Sequence, residues 1–172
     1  EAGHGYRFCD GLIQGETDMR RKDREITESD RIQKIIDACQ CMRIALADGA
    51  CAYIVPVNFG YDKAGKAFYF HGAAKGRKID LIRQNGYAGF EMDTDHRLVT
   101  ADEACGFSFE YSSIIGKGRI TVVDDLEEKR HGLDCIMEHM AGGGRWEYPD
   151  PMLKLTAVIR LDVEELHAKS NS

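Results

Sequence analysis

Long apolar runs are absent from this sequence of 172 residues. No stretch approaches the ~20 consecutive apolar residues that a helix needs to cross a bilayer, so we expect no membrane partner. The first residues, Glu1 to Gly5, also lack the basic segment followed by an apolar segment that marks a secretory signal. The sequence therefore predicts a cytoplasmic protein.

An excess of positive charge is also absent. The chain carries 23 Lys and Arg against 29 Asp and Glu, which gives a formal net charge of −6. Neutralising the phosphates of a nucleic acid requires a broad basic surface, so this balance argues against a nucleic-acid partner. We expect the basic residues to act locally, each at an individual anion.

Clusters with metal-ligand spacing are scarce, although cysteine itself is not. Of the six cysteines, only Cys39 and Cys41 are close in sequence, and no second C-x-C or H-x-H motif accompanies them. Without a secretory signal, the thiols are expected to be reduced rather than paired in disulfides. We therefore predict no metal site, and we expect Cys105 to be a buried structural residue.

The chain divides into a short extension and one domain. Residues 1–18 show no clear hydrophobic period, so we predict that they lie outside the folded domain, and an artificial origin is one interpretation of them. The remaining residues, 19–172, have the length of a single domain, and the overall hydrophobic content of 43% is enough for a real core.

Hydrophobic patterns predict a mainly β fold with helical inserts. Asp48 and Gly49 give a strong two-residue hairpin signal, and the next strand follows so closely that we expect a three-stranded meander. Gly116 and Gly118 predict a bend in the longest strand. The predicted strands cover residues 42–47, 51–59, 66–71, 87–93, 107–123 and 153–161, and the predicted helices cover 29–40, 75–84 and 126–140. Six antiparallel strands interrupted by helices fit a small barrel better than a doubly wound sheet.

A basic turn between a predicted strand and a predicted helix is the most informative local feature. Free N–H groups at the first turn of a helix favour an anion, and Arg77 and Lys78 stand at this turn after Gly76. The alternative is an ordinary solvated helix start. Because cations at a helix N-terminus oppose the dipole unless an anion offsets them, we favour a phosphate ligand.

Several ordered motifs resemble the pyridoxamine 5′-phosphate oxidase-like flavin-binding split barrels, and within them the nitroimidazole-resistance-protein group. The resemblance extends from Met19 to about Lys169. It is carried by MRRKDRE at 19–25, YIVPVNFGY at 53–61, FHG at 70–72, GRK at 76–78, YSSIIGKG at 111–118 and EEK at 127–129. It implies a six-stranded antiparallel split β-barrel of the FMN-binding type.

The same resemblance implies a homodimer that holds two FMN molecules in the clefts between its subunits. It assigns a set of cofactor-binding residues to the flavin ring (Val55, Pro56, Val57, Asn58, His71, Gly72), the phosphate (Gly76, Arg77, Lys78) and a neighbouring strand (Ser112, Ser113). Since proline cannot donate a sheet hydrogen bond, Pro56 is expected at a sheet edge or bulge.

Two aromatic side chains have competing interpretations. His71 could be a general acid beside the flavin, or it could merely finish a strand; the residues alone favour the second interpretation, and the family resemblance favours the first. Trp146 follows a run of glycines and could cover the flavin ring, but core or dimer packing accounts for it equally well.

The functional expectation is an FMN-dependent oxidoreductase that takes electrons from a donor such as NAD(P)H and reduces a nitroaromatic or quinone-like small molecule. The alternative is a non-catalytic flavin- or haem-binding module for storage or sensing, because His71 is the one acid–base candidate at the site. Oxidation of pyridoxamine phosphate is disfavoured, since Arg160 is the sole arginine near the C-terminus, where the oxidases have several. GRK at 76–78 also replaces the Ser-x-Lys step common in those oxidases.

Overall fold

A computed structural model of the chain describes residues 21–171. Eight strands and four α-helices make up this part of the protein. The strands are β1 (Glu25–Ile26), β2 (Met42–Asp48), β3 (Cys51–Val57), β4 (Gly60–Asp62), β5 (Ala67–Ala73), β6 (Tyr87–Val99), β7 (Ser108–Val123) and β8 (Thr156–Asn171); the helices are α1 (Ser29–Ala38), α2 (Arg77–Asn85), α3 (Leu126–Ala141) and α4 (Asp150–Leu155). None of these helices combines the length and the apolar character of a membrane span. The predicted extension over residues 1–18 lies outside the described residues.

One antiparallel sheet contains all the strands of the described chain, in the order β3-β2-β6-β7-β8-β5-β4, with β1 paired to β8. Its two edge strands, β3 and β4, are consecutive in the chain and are joined by Asn58 and Phe59. The sheet must therefore curl until its edges approach each other at this connection, although β3 and β4 are not paired. The prediction of a mainly β, antiparallel split barrel with helical inserts is confirmed.

The predicted number of six strands is wrong, because the described sheet has eight. The two additional strands, β1 and β4, contain 2 and 3 residues, which is too few to show an alternating period. The predicted meander is also wrong. The β2–β3 hairpin forms as expected, with Asp48 opposite Cys51, but β5 pairs with β4 and β8 because the chain crosses to the other edge of the sheet after Val57.

The long strands extend further than their hydrophobic patterns indicate. β6 continues to Val99, beyond the predicted end at residue 93, across a register shift between Thr94 and Arg97. The last predicted strand begins instead as α4, and β8 then runs to Asn171. β8 is half-buried along most of its second half. Its polar residues there do not form the hydrophobic pattern from which a strand is predicted. The predicted bend in β7 is confirmed by a register shift between Lys117 and Gly118.

Two apolar clusters bury the two faces of β5. Phe68 and Phe70 belong to the barrel interior, whereas Ala67 and Tyr69 belong to a smaller cluster under α3. The close approach of α3 depends on Gly132, because a Cβ there would lie 2.6 Å from the Tyr69 ring. Side chains alternate along a strand, so the end of β5 presents successive residues to opposite faces.

The cysteines of the described chain are free thiols. Cys39 is buried, and burial raises its pKa to about 12. Cys105 is exposed in a short 3₁₀ helix, Ala104–Gly106, so the expectation that it is buried was wrong; the β6–β7 connection that carries it extends away from the core. Within residues 21–171, no three His, Cys, Asp or Glu side chains converge as metal ligands.

Candidate functional site

The turn between β5 and α2 is open to an anion. Gly76 precedes α2 with φ +123°, a conformation that L side chains rarely adopt. Its carbonyl accepts hydrogen bonds from the N–H groups of Ile79 and Asp80, and no side chain of residues 21–171 caps the helix at Gly76. The positive end of the α2 dipole therefore faces this turn without a capping side chain.

Lys78 returns from α2 onto the end of β5. Its Nζ lies 5.7 Å from the centroid of the Phe70 ring, and a Cβ added at Gly72 would come within 2.9 Å of that nitrogen. Burial lowers the pKa of Lys78 from its ordinary value. The structure thus brings together Gly72 and Lys78, which the sequence assigned to one site.

Arg77 bridges α2 to the β2–β3 hairpin. Its guanidinium lies 5.5 Å from the centroid of the Tyr53 ring, and it donates a hydrogen bond to Asp48 within an ion pair. The Arg77 side chain is 66% exposed, whereas that of Asp48 is 25% exposed. Sequence reasoning missed both partners, because Asp48 was accounted for by the hairpin turn and Tyr53 by the strand pattern.

The predicted ring-contacting residues of β3 lie on an edge strand. Val55 and Val57 turn toward the barrel interior, and Pro56 is exposed. Among residues 21–171, β3 pairs with β2 alone, which confirms the expected edge position of Pro56 and leaves one side of the β3 main chain without a sheet partner in this part of the chain. The Asn58 amide donates to the Gln40 carbonyl at 3.0 Å. A ligand beside β3 would therefore meet mainly its backbone.

His71 and Gly72 occupy opposite faces of β5. Gly72 shares the interior face with Phe70, whereas His71 shares the other face with Tyr69 and is exposed. His71 lies opposite Val158 of β8, and its imidazole has no hydrogen-bond partner among residues 21–171. The side chain is thus free to meet a ligand at the end of the strand.

Ser112 and Ser113 lie far from this end of the sheet within one chain. They pair with Ser170 and Lys169 of β8, and each is 8% exposed. His71 pairs with Val158 of β8, and Val158 pairs in turn with Val123 of β7. Val123 is ten residues from Ser113 (123 − 113), which corresponds to as much as roughly 33 Å along a strand. A single chain therefore does not bring the serines to His71.

Trp146 belongs to the connection between α3 and α4. It lines a cavity of about 400 Å³ with Asp134 and Glu138. Its connection is tied to α3 because the Tyr148 hydroxyl donates to Asp134 at 2.9 Å and Arg130 donates to the Tyr148 carbonyl at 3.0 Å. Trp146 thus lies beside α3, on the side of β5 that carries His71. Its role as a cover for the flavin ring stays a prediction.

Another cavity, of about 470 Å³, lies between α1, β4 and α3. His131 Nε2 is 3.0 Å from Asp62 Oδ2 and 3.7 Å from Cys135 Sγ. Both contacts use the same ring nitrogen, so these residues do not form a nucleophilic triad. Burial raises the pKa of Cys135 to about 11, which disfavours a thiolate. This cavity is therefore a weaker candidate for the reactive site than the β5–α2 turn.

Comparison with known proteins decides the family. The family model described as pyridoxamine 5′-phosphate oxidase matches residues 28–170. The chain belongs to the pyridoxamine 5′-phosphate oxidase family. The resemblance inferred from the motifs is thereby confirmed. Comparison with curated proteins finds no match.

Solved structures similar to this family member include one of moderate sequence identity. A candidate 5-nitroimidazole antibiotic resistance protein from Bacteroides thetaiotaomicron is 29% identical, with a TM-score of 0.75 over 85% of this chain and 86% of that chain. The flavocytochrome Anf3 from Azotobacter vinelandii is 19% identical, with a TM-score of 0.77 over 90% of this chain and 72% of that one. An FAD- and haem-binding protein from Mycobacterium smegmatis is 19% identical, with a TM-score of 0.76 over 85% and 72%. The last two comparisons show the fold alone.

In this member of the pyridoxamine 5′-phosphate oxidase family, Arg160 is occupied by internal contacts. It donates to Asp162 at 2.7 Å, to Glu128 at 3.0 Å and to the Tyr69 hydroxyl at 3.2 Å. These contacts join β8 to α3 and to β5. Arg160 is therefore a structural cation in this chain, in contrast to Arg77, whose side chain is largely open to solvent.

Proposed function

We propose that this protein binds FMN, with the phosphate at the β5–α2 turn and the ring along the end of β5 and the free edge of β3. The observation that carries this proposal is that Arg77 and Lys78 both stand in the uncapped first turn of α2, with the Arg77 side chain largely exposed and the Lys78 ammonium at the end of β5. A fork-shaped guanidinium, an ammonium and a helix N-terminus together suit a terminal phosphate.

The surroundings of the turn suit the remainder of a flavin. The absence of a side chain at Gly72 lets the Lys78 ammonium lie against the end of β5. The side of β3 that no described strand pairs with offers main-chain donors and acceptors for the polar edge of a ring. A bound flavin would supply the electron-transfer chemistry. His71 is exposed on the face of β5 opposite to Gly72, so its imidazole could donate a proton to an acceptor that lies past the end of the strand.

We further propose a homodimer in which both chains contact each flavin. The separation of Ser112 and Ser113 from His71 supports this arrangement, because a second copy could supply the serines. The outer face of the sheet also exposes Ile54 and Ile115 by 63% and 52%. A Cβ at Gly89 would make only ordinary contacts within its own chain, at 3.7 and 3.9 Å. Mid-strand glycine that internal packing does not require often marks the close approach of another molecule.

Sedimentation of wild-type protein and of Gly89→Leu tests the dimer. We expect wild-type protein to sediment as a dimer and Gly89→Leu as a folded monomer. Gly143→Leu is a matched control, since a side chain at that position enters open space. A wild-type monomer that nevertheless binds FMN would overturn the shared site and leave the flavin proposal intact.

The activity we propose is FMN-dependent reduction of a nitroaromatic or quinone-like small molecule with NAD(P)H as donor. Family membership and the similarity to the candidate nitroimidazole resistance protein support it. The test is the visible spectrum and mass of any ligand that remains through purification, followed by titration with FMN and assay of NADH and NADPH oxidation. Absence of flavin bands after FMN is added would sink the proposal.

A second candidate is a flavin- or haem-binding module without rapid turnover. The observation that favours it is the lack of a described hydrogen-bond partner for His71, since general acids are usually oriented by a neighbouring group. Spectral titration with FMN, FAD and haemin separates the ligands. Multiple turnovers with NAD(P)H and an acceptor would exclude a purely storage or sensing role.

A further inference from the structure

The hairpin turn between β2 and β3 has a function beyond joining two strands. We propose that Asp48 is a positioning residue that, together with Tyr53, fixes the Arg77 guanidinium for the phosphate of the flavin. This inference rests on the proposed flavin site. It gives roles at that site to the Asp48 carboxylate, which lies outside the quoted motifs, and to the Tyr53 ring, which begins the motif at 53–61 but received no role there.

The contacts restrict Arg77 on two sides. Asp48 accepts a hydrogen bond from Nη2, and the Tyr53 ring lies below the guanidinium carbon at 5.5 Å. A guanidinium has five N–H donors, so the contact with Asp48 leaves most of them available. Arg77 would otherwise be a long side chain on the first residue of α2, with its rotamers free in solvent. The two contacts from the hairpin therefore preorganise the donors.

The burial of the two side chains indicates that Asp48 positions Arg77 rather than the reverse. The Asp48 side chain is 25% exposed, and Arg77 is 66% exposed. A second tie fixes the hairpin to α2, because the Asn85 amide donates to the Ala47 carbonyl at 2.7 Å. The hairpin is thus anchored to both ends of α2. Asp48 is the fixed member of the pair, and Arg77 is the accessible one.

The negative charge of Asp48 could weaken phosphate binding by repulsion or strengthen it by ordering Arg77, and the structure favours the second effect. A carboxylate near a phosphate repels it, and Asp48 could compete for Arg77. However, Asp48 also offsets the cost of placing a cation at the helix N-terminus, and an arginine fork can contact two anions through different N–H groups. Because Arg77 keeps an exposed side while bound to Asp48, we infer that ordering outweighs repulsion.

The experiment compares the dissociation constants of FMN and riboflavin, which differ by the phosphate. For Asp48→Ala, we expect FMN affinity to fall about 3- to 10-fold, the range expected when one rotamer-rich side chain loses its ordering. Riboflavin affinity should remain within about 2-fold. Asp48→Asn should retain more FMN affinity than Asp48→Ala, since its amide oxygen can still accept from Arg77. Asp102→Asn, an exposed acidic residue of the β6–β7 connection, is the control.

A double-mutant cycle shows whether Asp48 acts through Arg77. In an Arg77→Ala background, Asp48→Ala should cause no further loss of FMN affinity. Tighter FMN binding by Asp48→Ala would overturn positioning in favour of competition, and unchanged binding would overturn any role. Equal losses for FMN and riboflavin would indicate a folding defect and would also reject the inference. If wild-type protein binds neither flavin, the proposed function itself fails.

Discussion

Two groups of cations in this barrel have different environments. At the start of α2, the Arg77 side chain is largely exposed and hydrogen-bonds to Asp48, and the half-buried Lys78 has no hydrogen-bond partner among residues 21–171. Around α3, each cation has at least two internal hydrogen-bond partners: Arg130 pairs with Glu127 and Asp150, and Lys129 donates to the carbonyls of Leu153 and Thr156 at 3.2 and 3.1 Å. Arg160 belongs to this second group.

The contrast separates a binding role from a structural role without reference to any family. A cation with two or more internal hydrogen-bond partners stabilises the elements that it joins. A cation held by one carboxylate and one ring, beside an uncapped helix start, retains donors for an external anion. Both groups contain arginine and lysine, so residue type does not distinguish them, whereas the number of internal hydrogen-bond partners does. Variants of each group should therefore have separable effects.

Removal of both cations at the start of α2 should have the largest effect on FMN affinity. For Arg77→Ala combined with Lys78→Ala, we expect FMN affinity to fall close to 1000-fold, about 4 kcal/mol, because two charge-assisted contacts to phosphate are lost. Riboflavin affinity should change little. Fluorescence titration measures both ligands, and Arg83→Ala, an exposed arginine in the last turn of the same helix, is the matched control. Equal weakening of both flavins would place the phosphate elsewhere.

Replacement of His71 should affect turnover rather than binding. If the imidazole donates a proton to the acceptor, His71→Ala should lower kcat about 100-fold, the lower range for a general acid, while the flavin content stays unchanged. His139→Ala is a suitable comparison, since that imidazole is committed to the Cys39 carbonyl at 2.7 Å. Retained kcat in His71→Ala would remove this side chain from the chemistry.

Loss of Arg160, one of the cations around α3, should affect stability and leave flavin binding intact. Arg160→Met breaks the hydrogen bonds to Glu128, Asp162 and Tyr69. We expect the free energy of unfolding to fall by about 1–2 kcal/mol, a modest value because the network is partly solvated. Denaturant unfolding measures this change. A large loss of FMN affinity in folded Arg160→Met would contradict the division between the two groups of cations.

The sequence predicted the parts of this fold that depend on local signals. Asp48 and Gly49 form their hairpin, α2 begins at the predicted basic turn, and β7 bends next to Gly118. Local sequence signals could not predict the order of the strands in the sheet. β5 follows β3 closely in sequence, yet it lies at the other side of the sheet, because the curl of a split barrel brings the two edges to the same connection.

The candidate site was predictable in its residue types but not in its partners. GRK at 76–78 indicated an anion, whereas Asp48 and Tyr53 come from a hairpin more than 20 residues earlier. Their contact with Arg77 arises from the placement of α2 against β2. The opposite faces of His71 and Gly72 follow from simple alternation along a strand. That alternation could have been foreseen once β5 was placed.

The smallest expected effect is a pH dependence of FMN binding that arises from Lys78. Burial lowers the pKa of Lys78 in the free protein, and a bound phosphate would raise it again by stabilising the ammonium. Linkage then requires FMN affinity to be complete below the lowered pKa of the free protein and to decline as pH rises through it. The decline should therefore begin at a lower pH than an ordinary lysine would give. Titrations of FMN and riboflavin between pH 7 and 10, with Lys78→Ala for comparison, measure this difference; a slope that persists in Lys78→Ala would assign the titration to another group.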